Sequence, residues 1–377
     1  DSHYQISEQK YPFEFEYAGQ DTALVEISFN DGKPIENKLI RGNIHGKKLD
    51  EDGFSIAGAV FGLFAKDETE FTEETALLTA KSNKIGVFGF FDVPYGEYLI
   101  KELSCPPAFV LSEEIIPVTV SEQDQVVEIT MENRFAAGSV QVLKQDSENN
   151  DPISGVVFQV YADVDRNKAF DPEIDKLIGK MDDIGGGVYR MDGLRYGGYF
   201  LREEATGEAY VKDDNCYYFS IETDGEIVTV GNNGEIFANK PVLGSVLIRK
   251  TDSETGETLS GVLFGLFDAD GKEIRRGETD ETGLLLFENL RYGKYVLKEL
   301  KAKDGYLLDA EPVEVEITED GQLEEISLAN TRIPPVPEIP KTGETHLGFF
   351  IGLGAMALGA AIAGAVIFIK QKKDDHK

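Results

Sequence analysis

Cysteine, histidine and positive charge are all scarce in this 377-residue chain. The two cysteines, Cys105 and Cys216, fall in different repeats (below), which excludes a disulfide framework and leaves each as a buried free thiol. The four histidines, His3, His45, His346 and His376, accompany no serine or cysteine motif, so a hydrolase-type nucleophile is not expected. Acids outnumber bases 69 to 37, for a formal charge of −32. Such a surface repels nucleic acid and suits a solvated, secreted protein. A convincing amphipathic helix is also missing upstream of residue 340. The chain opens at Asp1 with no signal peptide, and its first unit is incomplete, so a piece of a longer precursor is expected.

What is present is repetition. Gly-Ser-Val-Gln-Val-Leu-Lys144-Gln-Asp146 is matched by Gly-Ser-Val-Leu-Ile-Arg-Lys250-Thr-Asp252, and more loosely by Asn43-Ile-His-Gly-Lys-Lys48-Leu-Asp50. A second landmark has Phe61, Phe158 or Phe264 at its fourth position, as in Gly58-Ala-Val-Phe61-Gly-Leu-Phe. A third follows a Tyr-Gly turn and ends in Glu102, Glu203 and Glu299. A fourth ends in Asn133, Asn239 and Asn330. The lysines recur at spacings of 96 and 106 residues. Each landmark alternates apolar and polar residues between Gly, Asp or Asn, the period of half-buried strands. About 95 residues per unit is ample for one sandwich core. The expected fold is therefore all-β, with tandem Ig-like sandwiches. Tyr11–Tyr17 and Leu24–Phe29 read as further strands, and Ile35-Glu-Asn37 as an end-of-repeat landmark, so residues 1–41 read as the last strands of a preceding unit.

Each lysine, glutamate and asparagine has apolar strand neighbours, and three isolated buried polar groups per unit would be costly. The repeats resemble the collagen-adhesin B-type (SpaA-like, prealbumin-like) domains of Gram-positive adhesins and pilins. That resemblance covers residues 1 to about 333. It implies an intramolecular isopeptide bond between lysine and asparagine, promoted by the glutamate. Carried over, the triads are Lys48–Asn133 with Glu102, Lys144–Asn239 with Glu203, and Lys250–Asn330 with Glu299. Burial would favour a neutral lysine nucleophile and a protonated glutamate. In the first repeat Lys47 is adjacent to Lys48 and Gly46 replaces an apolar residue, so only the Lys-x-Asp spacing favours Lys48 over Lys47.

No cofactor is required by this chemistry. The second repeat does contain Asp163-Val-Asp165-Arg-Asn167-Lys-Ala-Phe-Asp171-Pro-Glu-Ile-Asp175, with oxygen ligands at positions one, three, five and nine of a calcium-loop pattern. Lys168 stands where that pattern wants glycine, and Ile174 holds the twelfth position, leaving Asp175 or Glu173 to substitute.

Near the end, Ile339-Pro340-Lys341-Thr342-Gly343 precedes an apolar run over 347–369 and a Lys-Gln-Lys-Lys tail. The run is long enough to cross a bilayer as a helix, and the lysines would hold the tail in the cytoplasm. This is similar to the sorting signal of Gram-positive cell-wall proteins. It implies that a sortase cuts between Thr342 and Gly343 and joins the threonine to a peptidoglycan cross-bridge or a pilin subunit.

The expected organisation is a truncated sandwich over 1–41 and sandwiches over 42–137, 138–242 (with the acidic insertion) and 243–333. A proline-rich linker with the sorting segment follows over 334–343, then a transmembrane helix over 347–369 and a basic tail over 370–377. A wall-anchored stalk or adhesin segment is the leading functional class, in contact with the membrane only before sorting. A minor or basal pilin is the alternative. A shaft pilin fits less well because Tyr11-Pro12 is followed by Phe13 and not by lysine. No face is marked for a host ligand, and turnover catalysis is not expected.

Overall fold

The computed structural model describes residues 2–12 and 33–335. The sorting segment, the apolar run and most of the strands expected before residue 30 lie outside the described residues. Of the N-terminal unit, Tyr4 bridges Leu39, Gln5 N–H donates to Lys38 O, and Asn37 is exposed.

From residue 41 the described chain is all strand, turn and loop. Repeat one contains β1 (Arg41–Asp50), β2 (Val60–Ala65), β3 (Leu78–Lys81), β4 (Val87–Pro94), β5 (Gly96–Ser104), β6 (Ile115–Val120) and β7 (Val126–Asn133). One sheet has the order β4-β1-β7 and the other β3-β2-β5-β6. Repeat two contains β8 (Ala137–Asp146), β9 (Val157–Ala162), β10 (Lys176–Lys180), β11 (Asp182–Gly185), β12 (Val188–Arg195), β13 (Gly197–Ala205), β14 (Cys216–Ile221), β15 (Ile227–Thr229) and β16 (Ile236–Asn239). Its sheets are β10-β9-β13-β14 and β11-β12-β8-β15, with β16 also on β8. Repeat three contains β17 (Leu243–Asp252), β18 (Leu263–Asp268), β19 (Glu273–Glu278), β20 (Leu284–Arg291), β21 (Gly293–Lys301), β22 (Val313–Ile317) and β23 (Leu323–Asn330). It repeats the first arrangement as β20-β17-β23 and β19-β18-β21-β22.

Each repeat has its own core between its two sheets, built around Phe61 and Phe90, around Phe158, Tyr189 and Phe237, or around Val246, Phe264 and Phe287. Gly46, the irregularity in repeat one, is explained by its partner. A Cβ there would lie 2.1 Å from the Phe88 ring, which stacks on Phe61 at 3.7 Å. Repeats two and three put Val142 opposite Tyr189 and Ile248 opposite Leu285 at the same place. Relative to repeat three, volume has moved from one strand to its neighbour, as close packing requires.

The decisive feature is that first and last strands lie side by side and parallel. Parallel neighbours need a long connection, and here the rest of the repeat supplies it. Lys48 is level with Met131 and Asp50 with Asn133; Lys144 with Phe237 and Asp146 with Asn239; Lys250 with Leu328 and Asp252 with Asn330. The asparagine is thus two residues beyond the lysine's partner and faces the same way.

Successive repeats meet through arginines. Arg134 grips Asp224 with two bonds of 2.7 and 2.6 Å, and Arg195 reaches Asp52 at 2.8 Å while lying over the Phe135 ring. At the second joint Arg291 donates to Asp146 at 2.6 Å and Glu148 at 2.7 Å, and Tyr292 OH donates to Glu208 at 2.6 Å. Asp252, the third member of the aspartate series, is met instead by Arg332 of its own repeat at 2.6 Å.

Candidate functional site

Alternation on the first strand buries Val246 and Ile248, and the same phase turns Lys250 and Asp252 inward. The other repeats behave alike, so Lys48, Lys144 and Lys250 are all fully buried. Lys47 is exposed, so Lys48 is the lysine that enters the core. Each lysine is seated by its backbone: its N–H donates to the carbonyl of Gly86, Gly187 or Gly283 at 2.7, 2.7 and 2.8 Å. These glycines have φ of 75°, 74° and 73°, and a Cβ on them would lie 2.5, 2.4 and 2.7 Å from the lysine's carbonyl oxygen. Only glycine fits there.

The glutamate arrives from the opposite sheet. Glu102, Glu203 and Glu299 sit on β5, β13 and β21, paired with Phe61, Phe158 and Phe264. Those phenylalanines lie 5.6 to 5.7 Å under the lysine nitrogens, and Phe237 lies 4.2 Å from Lys144 Nζ. All three glutamates and all three asparagines are buried.

The structure therefore brings every predicted triad together. In repeat one Lys48 Nζ donates to Asn133 Oδ1 at 2.6 Å and lies 3.2 Å from Glu102 Oε1, while Asn133 Nδ2 donates to Glu102 Oε2 at 2.9 Å. In repeat two Lys144 Nζ is 3.0 Å from Glu203 Oε1, and Asn239 Nδ2 donates to that oxygen at 2.8 Å. In repeat three Lys250 Nζ is 2.8 Å from Glu299 Oε2, and Asn330 Nδ2 donates to Glu299 Oε1 at 2.8 Å. The Lys144 and Lys250 amines reach their glutamates at ion-pair distance but out of hydrogen-bond alignment. Beyond these ion pairs the two amines have no hydrogen-bond partner among the described residues, and the Asn239 and Asn330 carbonyl oxygens have none at all there. Unpaired buried groups of this kind cost about 1–3 kcal/mol each.

Desolvation outweighs the neighbouring glutamate and pushes the Lys48 amine below its ordinary value; it brings Lys144 down to about 8. A buried amine that readily gives up its proton, a carboxyl between two nitrogens and an amide carbon close by are the components of an amide-exchange reaction.

The acidic loop of repeat two is assembled in part. Oxygens of Asp163, Asp165 and Asp175 come within 4.8 Å of one another, so Asp175 and not Glu173 completes the group. This is an oxygen set of the hard-cation type, yet the chain's own amides already engage it. Asp163 accepts from Asn167 and Lys168, Asp175 from Val164 and Asp171, and Asp165 from Asn167. Asn167 and Asp171 instead accept from Ala169 and Glu173. Cys105 and Cys216 are free and half-buried, and desolvation pushes both thiols up, Cys216 to about 11. That makes them poor nucleophiles.

Two contributors were not singled out from sequence: the seating glycines and the role of the phenylalanine landmark as the chamber floor. Both recur in register in all three repeats, which is the signal that would have marked them.

Tandem all-β sandwiches, each with a buried lysine, glutamate and asparagine where first strand meets last, define a class of self-similar repeat. Residues 42–134, 138–235 and 244–332 match the SpaA family of prealbumin-like fold domains, and the chain belongs to that family. Over 70 residues, 19% of this chain and 13% of the relative, it is 37% identical to the trypsin-resistant surface T6 protein of Streptococcus pyogenes serotype M6. In three dimensions it is similar to the Bacillus anthracis TIE protein, with a TM-score of 0.66 at 25% identity over 78% of this chain and 51% of that one. BcpA, the major pilin subunit of Bacillus cereus, aligns over 78% of this chain and 100% of its own at 17% identity, with a TM-score of 0.40. The chain thus spans about half of the Bacillus anthracis protein and a small part of the streptococcal one.

Proposed function

We propose that this chain is a load-bearing stalk segment of a Gram-positive surface protein, whose repeats each close themselves with a Lys–Asn isopeptide bond. The observation that carries the reading is three buried chambers in register, each with its reactive groups in contact and two of them with unpaired polar atoms. In each, the lysine Nζ lone pair attacks the asparagine Cγ. A new Nζ–Cγ bond forms, the Cγ–Nδ2 bond breaks, and Nδ2 leaves as ammonia. The glutamate takes the proton from the attacking amine and returns one to the leaving nitrogen. Reaction replaces an amine and a primary amide with one secondary amide, which removes much of the cost of burying them. It happens once per repeat, with no turnover.

The bonds would close loops of 85, 95 and 80 residues, each contributing about 4–5 kcal/mol on loop-entropy grounds. They would also tie adjacent parallel strands, so that tension enters and leaves each sandwich through a covalent link. Thr342 extends that path in the same reading: sortase joins it to a peptidoglycan cross-bridge, and the segment from Gly343 onward is left behind. The name of the streptococcal relative, a trypsin-resistant surface protein, accords with covalently closed repeats. Intact mass decides the central point. The chain should be lighter than its sequence by about 17 Da per bond, about 51 Da for three; an unshifted mass would sink the reading. Immunoblots of wall fractions separate a wall-anchored monomer, seen as a single smear, from a pilus subunit, seen as a high-mass ladder.

A further inference from the structure

The last strand of repeat two is interrupted. Between β15 and β16 the chain makes a detour over residues 230–235, for which the unbroken β7 and β23 have no counterpart. Asn232 lies in this detour, and its side chain is fully committed. Its Oδ1 accepts from Ala238 N at 2.7 Å, and its Nδ2 donates to Ala238 O at 2.9 Å and to Asp213 Oδ2 at 2.8 Å. One amide thus occupies the outer edge of β16 as a neighbouring strand would, at the residue before Asn239.

The second partner leads back to the same place. Asp213 N donates to Glu203 Oε2 at 2.7 Å, and Asn239 Nδ2 donates to Glu203 Oε1 at 2.8 Å. Asn232, Asp213, Glu203, Asn239 and Ala238 therefore form a closed ring, with hydrogen bonds on four sides and the chain on the fifth. Asp213 is held firmly: Tyr217 OH donates to Oδ2 at 2.7 Å and Asn215 N to Oδ1 at 2.9 Å. Burial works to raise its carboxyl, but the donors from Asn232, Asn215 and Tyr217 win and keep it below its ordinary value. It stays an acceptor for Asn232.

In repeat one the matching donor to Glu102 is Ser112 N at 2.9 Å, and in repeat three no group donates to Glu299 Oε2. Neither has a side chain bridging back to the asparagine strand among the described residues.

We infer that Asn232 is a positioning residue for cross-linking in repeat two: it replaces the strand continuity that repeats one and three possess and holds Asn239 against Glu203. This rests on the isopeptide reading above. It touches neither reacting atom, so its effect is on alignment, and misalignment on the scale of 1 Å can cost about 100-fold in rate.

The test uses the full chain made by cell-free synthesis, sampled over time and digested. The Lys144–Asn239 cross-linked peptide is quantified against the Lys48–Asn133 and Lys250–Asn330 peptides as clocks within the same molecule. Asn232→Ala should slow the first about 10-fold or more and leave the other two unchanged. Asn232→Asp keeps the acceptor for Ala238 N but loses the donors and faces Asp213 with a like charge. A shared proton restores one donor as pH falls, so this variant should recover at pH 5 relative to pH 8 where Asn232→Ala does not. In a Lys144→Ala background, which cannot form the bond, melting of repeat two reports any purely structural role. Equal rates for Asn232→Ala and the parent overturn the inference. So does a slowing matched by unfolding in that background and not eased by acid in Asn232→Asp. A folded parent chain lacking the Lys144–Asn239 peptide while the clock peptides form would instead remove the isopeptide reading for repeat two, and this inference with it.

Discussion

Repeats one and three close with an unbroken last strand of eight residues, whereas repeat two reaches its asparagine through pieces of three and four. The register at the end is the same in all three, with the asparagine opposite the buried aspartate and two residues past the lysine's partner. The part of the last strand that is kept is therefore its final turn of the ladder. The earlier half can be replaced by a detour, provided something holds the asparagine's approach.

The largest effect should come from deleting the lysine. Lys48→Ala, Lys144→Ala and Lys250→Ala should each raise the intact mass toward the sequence value by about 17 Da and lower that repeat's stability by about 4–5 kcal/mol. For domains of this size that means a drop of roughly 20 °C or more in its calorimetric transition. Similar losses in all three would show that terminal register alone sets the benefit. A markedly smaller loss in repeat two would show that the broken strand already limits it.

The seating glycines sharpen the comparison next. Gly187→Ala must resolve a 2.4 Å approach to Lys144 O at positive φ, and should cost about 1–3 kcal/mol. Because the same backbone sets the lysine, cross-linking should slow in the same variant. Gly86→Ala and Gly283→Ala should behave alike. A variant that melts earlier but cross-links at the parent rate would separate the seat from the chamber.

Much of this was legible in the sequence. Three copies of Lys, Glu and Asn in apolar alternation marked the inward-facing positions, because a period-2 pattern fixes which face a side chain takes; their grouping into triads came from the family resemblance. Strand neighbours were less legible: that the first and last strands lie parallel and adjacent depends on pairing across about 80 residues, which no local pattern encodes. Lys48 was favoured over Lys47 only by its Lys-x-Asp spacing, because Gly46 obscured the phase, and the Phe88 ring filling its place shows the strand to be regular. The calcium-loop pattern read five ligands, of which three carboxylates converge, since spacing in a loop does not fix its turns. Arg195 and Arg291 directly precede the Tyr-Gly turns and carry no signal of their own in the sequence. Their partners belong to the preceding repeat, a contact invisible within one unit.

Those arginines make a second comparison, between the joints. Arg291 meets Asp146, a buried carboxylate on the lysine strand of the preceding repeat, whereas Arg195 meets Asp52, which is half exposed. Arg291→Ala leaves a buried acceptor short of a partner and should cost about 1–2 kcal/mol. Arg195→Ala breaks a surface pair worth under about 1 kcal/mol. Equal losses, read from the melting of the two flanking repeats, would mean that burial of Asp146 is not what distinguishes them.

Acid should weaken both joints by the smallest and most gradual of these effects. Burial works to raise Asp146, but Arg291 and two backbone amides hold it below its ordinary value. Arg134, with the Ala137 amide, brings Asp224 down to about 2. A carboxylate depressed on folding stabilises the fold above its unfolded value, about 3.9, and that contribution is lost as pH falls through the folded value. Inter-repeat order should therefore be the same at pH 7 and pH 5 and loosen between about pH 4 and pH 2. Small-angle scattering would read this as new bending with each sandwich intact, because the proposed Lys–Asn bonds would not titrate. Bending already present at pH 5 would show that the arginine contacts do not set the joint. Retained stiffness at pH 2 would assign that stiffness to contacts that do not titrate in this range, such as the cation–π contact of Arg195 over the Phe135 ring, 3.9 Å away.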